Sequence, residues 1–255
     1  MTTSPRLQTR VPTPVLGRWL LRSGIVLPVP LTAMHVARLP LAVDDVAELT
    51  APRIAGSATP AQLEALPAPT AAALDAVEDL LRDPTTVVYA THTDRPGGAT
   101  RTLGALLRGR RAVVIEDTAT DVTVLEVAAH EVADTLARRL ATRPTAFRPV
   151  DVPTAVLAAV AADPSRGSVE AVLRRAGLAP DALDVVRRVQ ADVRAFGVVG
   201  AVPVGRPGRE PVLGDWYAGP AGAVLKHAGG PHTLRFEPAD RAALTRLLAA
   251  AVAAA

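Results

Sequence analysis

Few residues in this 255-residue chain have both the type and the spacing that chemistry requires. His130-Glu131 opens a helical pattern and matches the start of a zinc-protease motif, which needs a second histidine four residues on. Position 134 is Asp, so the pair reads as an ordinary first turn, with Glu131 well placed at a helix N-terminus. His35, His92, His227 and His232 are not at metal-ligand spacing. His227 and His232 flank a Gly-Gly-Pro turn, and a hairpin there would bring them near each other. Neither a Gly-x-Ser-x-Gly elbow nor a phosphate loop with its lysine is present. Gly97-Gly98 belongs to a hairpin, where no helix dipole is available for a phosphate. Glu78, Asp79, Asp83 and Asp184 follow helix surfaces as solvated faces. The residues nominate no catalytic group, no metal and no cofactor, and the bottom-up reading is a non-enzyme.

The elements that would position any site recur along the chain. A shift of 110 positions lays Leu103-Gly104 on Leu213-Gly214, Gly109 on Gly219, Val113-Val114-Ile115 on Ala223-Val224-Leu225, and Thr123-Val124 on Thr233-Leu234. Four β-rich runs, Thr86–His92, Thr100–Leu107, Arg111–Asp117 and Val122–Val127, precede a helix at Ala128–Leu140. Phe196–Val204, Pro211–Tyr217, Ala223–Ala228 and Thr233–Phe236 precede another at Ala239–Val252, with Pro238 at its first turn. Turns this short require antiparallel neighbours. The expected fold is α+β: two quasi-symmetric halves, residues 15–145 and 146–255, sharing a central antiparallel sheet flanked by helical bundles.

Before the first meander, residues 1–14 read as a disordered tail and Ile25–Val29 as an edge strand. Short helices follow near Met34–Leu39, Asp44–Leu49 and Gln62–Leu66. A helix at Ala71–Leu81, with Leu74, Val77, Leu80 and Leu81 on one stripe, stops at Asp83-Pro84. Pro144–Pro153 reads as a link, and Thr154–Ala162, Val169–Ala176 and Asp181–Arg194 as helices.

Composition narrows the function. Hydrophobic residues are 49% and aromatics 3%, so Leu, Val and Ala must build the core. Absence of cysteine removes disulfides, thiolate metal sites and cysteine nucleophiles. Lys226 is the only lysine among 28 basic residues, and the arginines are dispersed among 25 acids. That pattern lacks the clustered stripe nucleic acid binding needs. No apolar run reaches membrane-span length. Arg18 and Arg22 before Ser23–Ala37 are faintly like a signal peptide, but prolines 28 and 30 interrupt it, and the expected location is the cytoplasm.

Alternation along the strands sorts their side chains. Leu234 and Phe236 share an uncharged face assigned to the helices, leaving Thr233 and Arg235 on the other. A tight meander puts Val224 and Lys226 on that outer face with Asp215 and Tyr217. The repeat extends it to Ala105, Leu107, Val114, Glu116 and Thr123. Mixed apolar and single charged residues suit a partner surface, and equally an ordinary solvated sheet face.

Phe196-Gly197-Val198, the turn Arg206–Glu210, Gly214-Asp215-Trp216 and Pro238-Ala239-Asp240 resemble the C-terminal run of the EspG family, chaperones for type VII (ESX) secretion in actinobacteria. Leu80–Tyr89, Thr102-Leu103-Gly104-Ala105 and Val113–Glu116 are similar to its first half. The segment Met34–Pro69 departs from that pattern. The resemblance implies a cytosolic, non-catalytic protein that covers the apolar tip of a helical PE/PPE-type substrate, keeps it soluble and directs it to its secretion system. It also implies a binding surface on the sheet, the first hairpin loop and the second helical bundle. By element order these are His92, Asp94 and Arg95 in the loop His92–Ala99; Glu116, Asp215, Tyr217, Val224, Lys226, Thr233 and Arg235; and residues of Thr154–Gln190. Two other readings stay open. One is an enzyme or small-molecule sensor with a pocket between the halves lined by His227, His232 and Asp215. The other is an interaction module, including a homo-oligomer.

Overall fold

The computed structural model describes residues 7–12, 16, 19–20, 23–25, 27, 68–94, 100–117, 121–140, 143, 146–162, 166–177, 193–204, 212–220 and 222–254. The expected elements at Met34–Leu39, Asp44–Leu49 and Gln62–Leu66 lie outside these residues, as does almost all of Asp181–Arg194.

Ten strands form one antiparallel sheet: β1 (Leu7–Pro12), β2 (Thr86–Asp94), β3 (Thr100–Arg108), β4 (Arg111–Asp117), β5 (Asp121–Ala128), β6 (Val150–Pro153), β7 (Ala195–Pro203), β8 (Val212–Gly219), β9 (Gly222–Gly230) and β10 (Thr233–Pro238). Their order is β1-β5-β4-β3-β2-β7-β8-β9-β10-β6, which reads the same from either edge inward. The halves meet where β2 pairs with β7. Tyr89 stands opposite Gly200, Val88 opposite Ala201 and Ala90 opposite Val199. A shift of 111 therefore carries Val88 to Val199, Tyr89 to Gly200 and Ala90 to Ala201, and a pseudo-twofold axis passes between Tyr89 and Gly200. The side chain on this axis is large on one strand and absent on the other.

The observed shift at the seam is 111, not the 110 read from the sequence. One residue matters, because strand side chains alternate and an odd slip moves every residue to the opposite face. Two corrections follow at the ends. Leu7–Pro12, expected within a disordered tail, is an edge strand paired with β5 through six residues, and Arg10 bonds Asp121 at 2.7 Å. Its counterpart β6 lies inside the expected link and pairs with β10. Val11 and Val152 are fully buried beside Val122 and Leu234, their partners on β5 and β10. Ile25 and Leu27, expected in a strand, are in none and lie in the core instead.

Helices cover both faces. On the front, α3 (Val132–Arg139) and α6 (Arg241–Ala254) pack against each other over Ala90, Ala105, Val114, Val199 and Leu225. A 3₁₀ turn, Ala129–Glu131, leads into α3, and the Glu131 carboxylate accepts from the Ala128 N–H at 3.1 Å. His130-Glu131 is thus part of a helix cap. Helix α6 starts at Arg241, three residues beyond Pro238, which ends β10. Asp240 is the cap instead, accepting from the Ala243 N–H at 2.7 Å.

The back of the first half is sealed by Leu16, Trp19, Leu20, α1 (Ala68–Asp75) and α2 (Glu78–Arg82) against Val87, Leu106, Val113 and Ile115. The expected continuous helix breaks at Ala76–Val77, where the Ala76 carbonyl accepts from Arg111 at 3.0 Å. The back of the second half is covered by α4 (Thr154–Ala162) and α5 (Arg166–Arg175) over Val152, Val224 and Phe236. The expectation of one roofed face and one open face is corrected: each exposed sheet face would leave Val, Leu and Ile in water, and each half carries its own cover.

If β1 completes the sheet, Val11→Ala and Val152→Ala should each cost about 2 kcal/mol. Urea unfolding with an unchanged slope measures this; a silent Val11→Ala would return residues 7–12 to a loose tail.

Candidate functional site

The registers divide the nominated residues between the two faces. Phe236 stands opposite Lys226 and Arg235 opposite His227, so Val224 and Lys226 share the back face with Leu234 and Phe236. Asp215 pairs with Lys226 and Tyr217 with Val224, which places them on the back as well. Arg235 and Thr233 are on the front, as are Ala105, Leu107, Val114, Glu116 and Thr123. Val224 is buried among Val152, Val160 and Phe236 and does not reach the surface. Glu116 pairs with Arg139 of α3, and Arg235 with Asp151 at 3.3 Å. Arg95 lies outside the described residues.

On the back, Asp215, Tyr217 and Lys226 form one cluster. Lys226 Nζ is 2.5 Å from Asp215 Oδ2 and donates to the Tyr217 hydroxyl at 3.2 Å. It also lies 5.4 Å from the Tyr217 ring centroid. Burial works to lower the Lys226 pKa, but hydrogen bonds to Asp215 and Tyr217, with Asp215's charge, leave it raised overall. All three side chains are half-buried. Aligned on their turns, the β3–β4 and β8–β9 hairpins share the same pairing, and Gly104, Leu106 and Ile115 occupy the positions of Asp215, Tyr217 and Lys226. Leu106 is 0% exposed and Ile115 2%. The first half fills two of these positions with buried aliphatic side chains and leaves the third a glycine; the second places a polar trio there.

A second group lies on the front, at the end of β2. His92 Nε2–H donates to the Asp94 carboxylate at 2.8 Å, and the His92 ring packs on Trp216 with centroids 5.0 Å apart. The hydrogen bond from His92, then its charge, lowers the Asp94 pKa. Beside them is a cleft of about 110 Å³ lined by His92, Arg101, Leu103, Glu116, Asp117 and Arg139. Burial lowers the Arg139 pKa. The sequence nominated His92, Asp94 and Glu116 but missed Trp216 and Arg139. Gly197 was the available signal for the first, since it leaves the space the indole occupies.

His227 does not meet His232. Its Nε2 bonds the Glu237 carboxylate at 3.0 Å, and Arg246 of α6 approaches the same acid at 3.0 Å. Asp215 and His227 are on opposite faces, so they line no common pocket. Among the described residues no group of three His, Asp or Glu could hold a metal ion, and no helix is long and apolar enough to cross a membrane.

These features define a mixed α+β protein of two like halves, with its polar trio on one half of a shared sheet. The chain belongs to the EspG family, whose model matches residues 68–250. Its fold is similar to that in the structure of the Mycobacterium tuberculosis type VII secretion system chaperone EspG5 in complex with a PE25–PPE41 dimer. There the TM-score is 0.65 at 18% identity, over 96% of both chains. No curated protein matches the sequence.

Because Lys226 is the only lysine, a lysine-selective label reports its ammonium alone apart from the chain terminus. Its titration midpoint should lie above 10.5, and Asp215→Asn should lower it. The raised value means that the cluster's contribution to stability is whole below 10.5 and is lost as pH rises through the folded midpoint. NMR of labelled lysine checks both; a midpoint indifferent to Asp215 would dissolve the cluster.

Proposed function

We propose that this chain is a cytoplasmic, non-catalytic chaperone of type VII (ESX) secretion. It binds the apolar tip of a helical PE/PPE-type substrate, keeps it soluble and directs it to its secretion system. The observation that carries this reading is membership of the EspG family together with a fold shared over nearly the whole chain with a chaperone solved in complex with such a pair. The physical requirement fits. A helical tip rich in apolar residues aggregates unless covered, and a surface of mixed character covers it reversibly.

Within that reading the docking surface is the back of the second half, centred on Asp215, Tyr217 and Lys226 and extending along β7 through half-buried Phe196 and Val198. What supports this placement is the contrast between the halves: Leu106 and Ile115, which match Tyr217 and Lys226, are core in the first. His92 and Asp94 extend the surface around the end of β2.

Co-expression with a neighbouring PE/PPE pair, followed by co-purification and calorimetry, tests both levels. The wild-type protein should retain the pair. Tyr217→Asp or Lys226→Glu should weaken the complex at least tenfold, about 1.4 kcal/mol, without unfolding the chaperone. No co-purification of the wild type removes the chaperone reading. Wild-type affinity in both variants removes the trio from the interface.

A further inference from the structure

The end of the β2–β7 seam is held by side chains where the backbone ladder is interrupted. Pairing runs through Ala90–Val199 and resumes at Thr93–Phe196, passing over Thr91 and His92. In the gap, the Val198 N–H donates to Thr91 Oγ1 at 2.9 Å, and the Trp216 indole N–H donates to the Thr91 carbonyl at 2.9 Å. Trp216 belongs to β8, and its indole reaches β2 by crossing β7 above Gly197. A Cβ at Gly197 would lie 1.8 Å from the Thr91 carbonyl oxygen and 2.4 Å from the indole nitrogen.

The same tryptophan marks a break in the twofold pattern. Val88 faces Ala105 in the first half, and the shift of 111 would set Val199 opposite Trp216. Val199 instead faces Gly214, and Trp216 faces Gly197, two residues away. That is about 7 Å along the strand, and an even displacement keeps every side chain on its face. In this register Tyr217 stands opposite Phe196 and Asp215 opposite Val198. The indole also carries the His92 ring, through which Asp94 at the end of β2 is held.

We propose that Trp216 is a positioning residue for the docking surface: from the opposite face of the sheet, its N–H fixes the end of the seam. That fixes where Phe196, Tyr217 and the start of the first hairpin loop stand. A hydrophobic ring of similar size would fill the core here, but only a donor replaces the missing ladder bond. The binding arm of the test rests on the chaperone reading; the exchange arm does not.

Trp216→Phe keeps an aromatic ring and removes the donor. Amide hydrogen exchange at Thr93, Ala195 and Phe196 should quicken at least tenfold, with β3–β4 unchanged. The Lys226 titration should stay as in the wild type, because Asp215, Tyr217 and Lys226 travel together on β8 and β9. Affinity for the PE/PPE pair should fall at least tenfold, and a purely structural tryptophan would not separate these readouts. Wild-type exchange at those rungs, or undiminished binding with faster exchange, overturns the proposal. Should Trp216→Phe not fold, Trp216→Met, which likewise keeps an apolar side chain and removes the donor, should quicken the same amides; wild-type exchange there overturns it equally. A wild-type protein that binds no pair defeats the chaperone reading, and the exchange result still decides the role of Trp216.

Discussion

The antiparallel pairing of β2 with β7 sets the arrangement of everything else. It joins two meanders into one sheet, and its register fixes which face each side chain takes on eight strands in succession. At the axis, Tyr89 opposite Gly200 admits a single ring where two would collide. Each meander then returns to the front with a helix, and α3 meets α6 over the seam. The Arg241–Asp134 pair ties those helices at 2.5 Å. A sheet this wide would expose apolar area on both faces, so burial of Val, Leu and Ala requires covers on both. The outermost positions go to two short strands, which shorten the exposed edges, and Pro12 and Pro153 at their ends lack the N–H that another chain would need.

What the sequence revealed follows from the strength of its periodic signal. The strands β2 to β5 and β7 to β10 each carry several alternating Val, Leu or aromatic residues between turns that, but for Thr118–Thr120, contain Gly or Pro, and their limits were legible to within a few residues. Strands β1 and β6 were not, because each carries only two aliphatic residues besides its proline, Leu7 and Val11 in one and Val150 and Val152 in the other, too few to show an alternation. The repeat was visible, but its phase was wrong by one. Laying Leu103-Gly104 on Leu213-Gly214 maximised local likeness, and it carried the outer-face assignment onto Ala105, Leu107 and Val114, which are core. Similarity of letters does not respect alternation, whereas hydrogen-bond register must. The Gly214-Asp215-Trp216 run was recognisable as a motif, yet its geometry was not: the indole acts across two strands, and no spacing in the chain records that.

Departures from symmetry are where function is legible in such a fold. Packing alone would accept the same residues in the β3–β4 and β8–β9 hairpins, since both present the same ladder. The first half uses Leu106, Val113 and Ile115 as core, and its charges, Arg111 with Asp79 and Glu126, brace α2 against the sheet. The second half leaves Asp215, Tyr217 and Lys226 paired but half-exposed. Holding an ammonium and a carboxylate partly out of water is costly unless they satisfy each other, and here they do.

The front of the second half lies under α6. Glu237 is buried beneath α6 and is met by His227 from the sheet and Arg246 from the helix, so the roof is fastened by charge as well as by carbon. Displacing α6 would break the Arg246–Glu237 pair and expose Ala243, Leu244, Leu247 and Leu248, a far larger penalty than separating Lys226 from Asp215 at a half-exposed site. On the chaperone reading proposed above, a guest that must be taken up and released without unfolding its host is better served by the back of the second half. There the existing interactions are polar, accessible and exchangeable.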